Sequence, residues 1–233
     1  MRSEFAVVLA VFGFAITIFL SCADNPDLGE YPSIEEFFPK SSSGTVISSS
    51  SEPSSSSATN GTFTDTRGDK KIYKWVKIGN QIWMAENLNY NESGSKCYGN
   101  IETNCITYGK MYNWATAKIV CPSGWHLPTK NEWEVLTTAV GGYLTEGKYL
   151  KATSGWKNLG NGEDTYGFAA LPGGSGLSNG VSFGGLGEYG DWWSDSEYNT
   201  NNAYYLCMHY DSERADLYNE DKSNLRNVRC LKN

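Results

Sequence analysis

Between Lys40 and Asn60 the chain reads KSSSGTVISSSSEPSSSSATN. A run so rich in serine and so poor in large apolar side chains cannot bury enough surface to offset the entropy of ordering it, so it reads as a flexible tether. That confines folding to residues 61–233, a length suited to one globular domain with a core of its own. Counted from residue 23 to residue 60, the tether has a mean reach of about 30 to 40 Å, so the domain stands clear of whatever holds its N-terminal end.

Residues 1–21 do not read as part of that domain. After Arg2 an apolar stretch from Phe5 to Leu20 is shorter than the ~20 residues of a membrane-spanning helix and runs into Ser21 and Cys22, the pattern of a secretory signal. The string Phe-Leu-Ser-Cys resembles the lipobox of bacterial lipoproteins, in which the cysteine becomes the lipidated first residue. Cys22 is therefore the expected lipidation site. The chain is expected to be exported and lipid-anchored in the bacterial cell envelope, at the outer membrane or cell surface, with the membrane as a partner through that anchor.

The formal charge of -7 is unevenly placed, because Glu4, Asp24, Asp27, Glu30, Glu35, Glu36 and Glu52 face only Arg2 and Lys40 in residues 1–60. The domain is close to balanced. It carries no basic stripe, which excludes nucleic acid as an expected partner, and no acidic block large enough for a polycation.

Along the domain, IYKWVKIGNQIWMAENL at 72–88 predicts a β-hairpin, with Gly79-Asn80 as its two-residue turn. Cys97 and Cys105 bracket a short polar segment, and in an oxidising compartment their spacing suggests a local disulfide; a metal site lacks nearby histidines or further cysteines. KMYNWATAKIV predicts a short helix ending before Cys121-Pro122. Thr129 and Glu132 form a T-x-x-E capping box ahead of a second helix, whose Trp133, Leu136 and Val140 make an apolar face and which Gly141-Gly142 stops. Strand-like runs follow at 166–172, 190–198, 203–210 and 227–233. A hairpin, one or two helices, loops and then strands predict an α+β domain with an antiparallel sheet, since strand and helix do not alternate.

WMAENL at 83–88, YGKMYNW at 108–114, CPSGWHLPTKNEWEVL at 121–136, LKATSGW at 150–156, YGFAALPGG at 166–174 and NVRCLKN at 227–233 together resemble the Fibrobacter-type major paralogous (FISUMP) domain, over nearly all of residues 61–233. That family occurs on exported bacterial proteins and is similar to C-type-lectin-like and formylglycine-generating-enzyme-like domains. The resemblance implies a C-type-lectin-like, disulfide-stabilised fold with long loops, and a pairing of Cys121 with Cys230. It implies no defined activity: neither the active-site cysteine pair with copper nor the histidine-rich iron site of the enzyme relatives is matched here.

His126 offers a general base or a metal ligand, but without partners at ligand spacing it reads as a hydrogen-bonded structural residue. Cys207 and His209 lie two apart on a predicted strand, on one face, where a histidine can generate a thiolate nucleophile. With Cys22 lipidated and two disulfides assigned, Cys207 is the cysteine left over; the alternative is a small buried core residue. In GEYGDWWSDSEYNTNNAYY, 187–205, part of Trp192-Trp193 must be core. The other face, with Tyr189, Asp191, Trp192, Asp195, Glu197 and Tyr198, offers stacking rings and oxygen ligands for a sugar, with calcium as the one ion these groups could hold and no other cofactor expected. Neither the Glu-Pro-Asn nor the Trp-Asn-Asp signature of sugar-binding C-type lectins is present.

The reading is therefore a surface lipoprotein whose domain recognises a glycan, a plant cell-wall polymer or a surface protein without catalysis. The alternatives are an exported enzyme using Cys207 and His209 or the carboxylates of 191–197, and a structural envelope protein.

Overall fold

The first hairpin forms where the turn residues require it. In the computed structural model, which describes residues 60–142 and 144–233, strands β2 (Ile72–Ile78) and β3 (Gln81–Met84) pair antiparallel around Gly79, whose φ is +57°. The signal segment, Cys22 and the tether up to residue 59 lie outside the described residues. A preceding strand, β1 (Asn60–Thr64), adds to the hairpin edge.

Cys97 and Cys105 are disulfide-bonded. The segment between them is less irregular than its polarity suggests, because Cys105 belongs to helix α1 (Glu102–Tyr108). Strand β4 (Met111–Tyr112) then leads to α2 (Trp114–Val120), capped by Asn113, whose side chain accepts from the Thr116 amide. The predicted helix thus starts at Trp114 and leaves Met111 in a strand. After β5 (Trp125–His126), α3 (Lys130–Ala139) carries the full reciprocal capping box of Thr129 and Glu132 and buries Trp133 and Leu136, with Val140 buried at its C-terminal end. A short α4 (Glu146–Leu150) follows, so four helices occur among the described residues.

The 166–172 run is loop rather than strand. Beyond it come β6 (Ser175–Gly176), β7 (Phe183–Gly184), β8 (Tyr189–Glu197), β9 (Asn202–His209), β10 (Ala215–Asp221), β11 (Arg226–Asn227) and β12 (Leu231–Lys232). Two five-stranded sheets result, in the orders β1-β2-β3-β12-β5 and β10-β9-β8-β11-β4, with β6 and β7 as a separate pair. All pairings are antiparallel except β11 with β8. The fold is α+β with antiparallel sheets, as expected.

Adjacent strand residues face opposite sides, so Trp192 and Trp193 report on both faces of the second sheet. Both are fully buried, in different clusters. Trp193 packs with Tyr112, Trp114 and Tyr205, and Trp192 with Trp83, Trp133 and Phe168. The sheet is a wall between two half-cores. The disulfide between Cys121 and Cys230, 109 residues apart, ties the end of α2 to the residue just before β12. In the chain-entropy model such a closure stabilises by roughly 4 to 5 kcal/mol. No helix among the described residues is long and apolar enough to cross a membrane.

Candidate ligand groove

Residues 84–88 and 228–230 run side by side, the Met84 and Leu88 amides donating to the carbonyls of Cys230 and Val228. Val228 and Cys230 enter one half-core. Arg229, between them, is turned to the opposite side and buried. Its Nε and Nη2 both donate to Asn87 Oδ1, at 3.2 and 2.8 Å. Nη1 donates to the Phe168 carbonyl, and Nη2 makes a longer contact of 3.4 Å with the Ala169 carbonyl. The guanidinium lies 4.3 Å from the centre of the Phe168 ring.

Asn87 is fixed in turn. Its Nδ2 donates to the Tyr108 carbonyl at 2.8 Å, and its Oδ1 also accepts from Trp192 Nε1 at 2.7 Å. Gly109 is required beside it, since a Cβ there would stand 2.7 Å from that of Asn87.

These groups line a cleft of about 360 Å³, together with Lys71, Lys74, Glu86 and Asp164. A second hollow of about 520 Å³, lined by Thr62, Trp75, Thr165 and Tyr166, shares Lys74, Ala85 and Gly167 with it, so the two form one groove. Asp164 and Ala169 both sit in left-handed backbone, at φ +47° and +53°, and Asp164 Oδ1 accepts from the Ala169 amide at 2.7 Å. Non-glycine residues held this way mark a loop whose shape its surroundings dictate.

The electrostatics of the floor are unusual. Burial drives the Arg229 pKa down to about 9, with only the charges of Asp164 and Glu86 acting the other way. Burial likewise raises the Asp164 carboxyl, against the Ala169 hydrogen bond and the Arg229 charge. No carboxylate lies within 4.0 Å of the Arg229 guanidinium among the described residues; all its hydrogen-bond acceptors are neutral.

The stretch expected to be a binding loop is instead the β8-β9 hairpin, and it divides the expected residues. Tyr189, Asp191 and Trp192 are buried. The Tyr189 hydroxyl shares a 3.2 Å hydrogen bond with Ser175, and Asp191 stands 3.5 Å from Arg226 Nε. Asp195, Glu197 and Tyr198 lie toward the surface end: Asp195 faces Lys118 at 3.6 Å, Glu197 faces Lys222 at 3.4 Å, and Tyr198 packs edge-on to Tyr204.

Cys207 is not the unpaired cysteine expected from the sequence. It is disulfide-bonded, and none of the described cysteines is free, so the strand holds no thiol to pair with His209. His209 itself is buried, with Nδ1 against Asp211 Oδ1 and its ring over Tyr189. His126 bridges Glu132 Oε1 at 2.9 Å and Asn233 Oδ1 at 2.7 Å, tying the capping box to the C-terminal residue. Among the described residues the close grouping of metal-ligating types is Cys97, Glu102 and Cys105, whose two sulfurs are bonded to each other.

Asn87, Asp164 and Arg229 are absent from the residues singled out by sequence. One signal was present: a cation set inside the otherwise apolar run Val228-Arg229-Cys230-Leu231.

No curated protein and no solved structure matches this chain. The profile described as the Fibrobacter succinogenes major domain matches residues 76–232, which takes in Asn87, Asp164 and Arg229 alike. By that match, over well more than half of its length, the chain belongs to the Fibrobacter succinogenes major domain family.

Proposed function

We propose that this is an exported, lipid-anchored envelope lipoprotein whose C-type-lectin-like domain recognises a glycan in the groove of Asn87 and Arg229, without catalysis. The observation that carries the reading is the fixed floor: the Arg229 guanidinium and the Asn87 amide, locked by mutual hydrogen bonds beside a cleft of saccharide size. Preorganised planar donors and acceptors suit ring hydroxyls, because no side-chain entropy is lost on binding. Tyr166, half-buried on the groove wall, adds a ring face. The N-terminal string ending in Cys22 supports the anchoring part; a sulfur held in a lipid thioether forms no disulfide, so the anchored protein pairs Cys207 with a thiol from outside the chain.

A screen of the purified protein against soluble polysaccharides and cell-wall material tests the reading. Tyr166→Ala is expected to weaken any hit about tenfold, corresponding to about 1.4 kcal/mol. Retained affinity in that variant would remove the groove from consideration. Loss of fatty-acid labelling in Cys22→Ser checks the anchor.

A second reading places the ligand at the exposed end of the β8-β9 hairpin. It is favoured by Tyr198, 52% exposed and edge-on to Tyr204, beside the carboxylates of Asp195 and Glu197. Tyr198→Ala would then abolish binding while Tyr166→Ala leaves it intact.

A further inference from the structure

Three cations line the Arg229 half of the groove: Arg229 on the floor, with Lys71 and Lys74. None has a carboxylate within ion-pair distance among the described residues. Lys71 instead stands 5.4 Å over the Tyr73 ring. The two carboxylates in the same half are turned to backbone amides, Glu86 Oε2 to Lys74 at 2.9 Å and Asp164 Oδ1 to Ala169 at 2.7 Å. The half-groove therefore holds one more cation than anion, and its two carboxylates act on Arg229 from beyond ion-pair distance.

A buried guanidinium without an anion is costly, because neutral acceptors replace only part of its lost hydration. Arg229 has five N–H donors. Its acceptors are three: one amide oxygen that takes two of them, and two backbone carbonyls. If each contact uses a separate hydrogen, one on Nη1 is left without an acceptor among the described residues, on a side chain only 1% exposed at the cleft floor. Arginine is the side chain best suited to a carboxylate in such a position, and a lysine outside it adds a mobile point charge.

We propose that this half of the groove is a carboxylate subsite, and that the saccharide it takes is acidic, carrying a uronate carboxyl group. The inference rests on the glycan reading and sharpens it. The ligand carboxylate approaches Arg229, with the Lys71 and Lys74 ammonium groups closing over it. The hydroxyls of the same or the next ring reach the Asn87–Asn89 side and the Thr107 hydroxyl, which line the same cleft.

Isothermal titration of the full-length protein with three probes tests it: a galacturonate oligomer, a neutral galactose oligomer and an oligoglutamate. The galacturonate oligomer is expected to bind at least about tenfold more tightly than the neutral one, and to weaken as salt is raised, since Lys74 is exposed and Lys71 half-exposed to screening. The double variant Lys71→Ala/Lys74→Ala should lose about tenfold in galacturonate affinity, with an unchanged melting temperature. Arg229→Gln should lose more, and the lysine variant keeps the test decisive if Arg229→Gln fails to fold.

Equal affinity for the two saccharides, indifferent to the lysines, overturns the carboxylate subsite and leaves the glycan reading standing. Binding of oligoglutamate alone overturns the acidic saccharide in favour of an acidic peptide. Binding of none of the three overturns the groove as a site for either.

Discussion

Arg229 and Asn87, 142 residues apart, are joined through a single oxygen: Oδ1 of Asn87 accepts from both Nε and Nη2 of the guanidinium. The same oxygen accepts from Trp192 Nε1, so one amide holds the C-terminal segment, the β3 side of the first sheet and the central strand of the second in register.

Asn87→Ala removes that oxygen, leaving Arg229 only the Phe168 and Ala169 carbonyls and the buried Trp192 indole N–H without an acceptor. Hydrogen bonds to a charged group contribute about 1.5 to 3 kcal/mol and an unsatisfied buried donor costs about 1 to 3, so the loss should reach about 3 to 5 kcal/mol. Denaturant melts should show that loss in Asn87→Ala. Asn89→Ala, which forfeits one neutral hydrogen bond to the Cys105 carbonyl, should cost only about 1 kcal/mol. Similar losses in the two variants would mean that Asn87 carries no special burden.

How much of this could be read from sequence depended on whether the cause was local. Gly79-Asn80 and the Thr129–Glu132 box are complete within a few residues, and both produced the element expected. Helix α1 was hidden because ETNCITY has no apolar stripe; the residue it buries is Cys105, in a disulfide. Strand β10, ADLYNED, was hidden for a related reason: it is an edge strand with a largely half-buried pattern, held by its ladder to β9. The groove was the least legible part, since Asn87, Asp164 and Arg229 come from three distant segments, and their meeting is a product of the sheet order.

The buried pair Asp191 and Arg226 makes stability depend on pH in a definite direction. Burial pushes the Asp191 carboxyl up from 3.8 to about 7, more than the nearby Arg226 lowers it, while Glu220 adds to the rise. The folded state thus keeps a proton that the unfolded chain has released, across the window from about pH 4 to about pH 7. Stability from this group is present at the acid end and falls as pH rises through that window. Glu132 acts oppositely and lower: despite partial burial, the Thr129 amide and His126 hold its pKa down, so its contribution is lost as pH falls through that lowered value. Comparing wild type with Asp191→Asn cancels the Glu132 effect. The melting temperature of the variant relative to wild type should climb between about pH 4 and about pH 7. A pH-independent difference would show that Asp191 is ionised throughout.

The buried tryptophans are alike in burial and unlike in hydrogen bonding. Trp83 donates to Gln81 Oε1, Trp114 to the Ser194 carbonyl, Trp156 to the Ala170 carbonyl, Trp192 to Asn87 and Trp193 to the Tyr112 carbonyl. Trp133, fully buried on α3 and 4.6 Å from the Trp83 ring, has no acceptor for its Nε1 among the described residues. Replacing tryptophan by phenylalanine removes similar ring volume at Trp133 and Trp192, so the cavity costs should be comparable. The polar terms differ in sign. At Trp133 the change deletes an unpaired donor and regains its desolvation cost, about 1 to 3 kcal/mol. At Trp192 it deletes a made hydrogen bond and leaves Asn87 Oδ1 to Arg229 alone. Trp133→Phe should therefore be less destabilising than Trp192→Phe by about 1 to 3 kcal/mol in denaturant melts. Trp133→Ala, which empties the site, should cost about 3 to 5 kcal/mol. If Trp133→Phe proves as costly as Trp192→Phe, the Trp133 indole N–H is satisfied in the folded protein and its packing against Trp83 and Phe168 carries the whole effect.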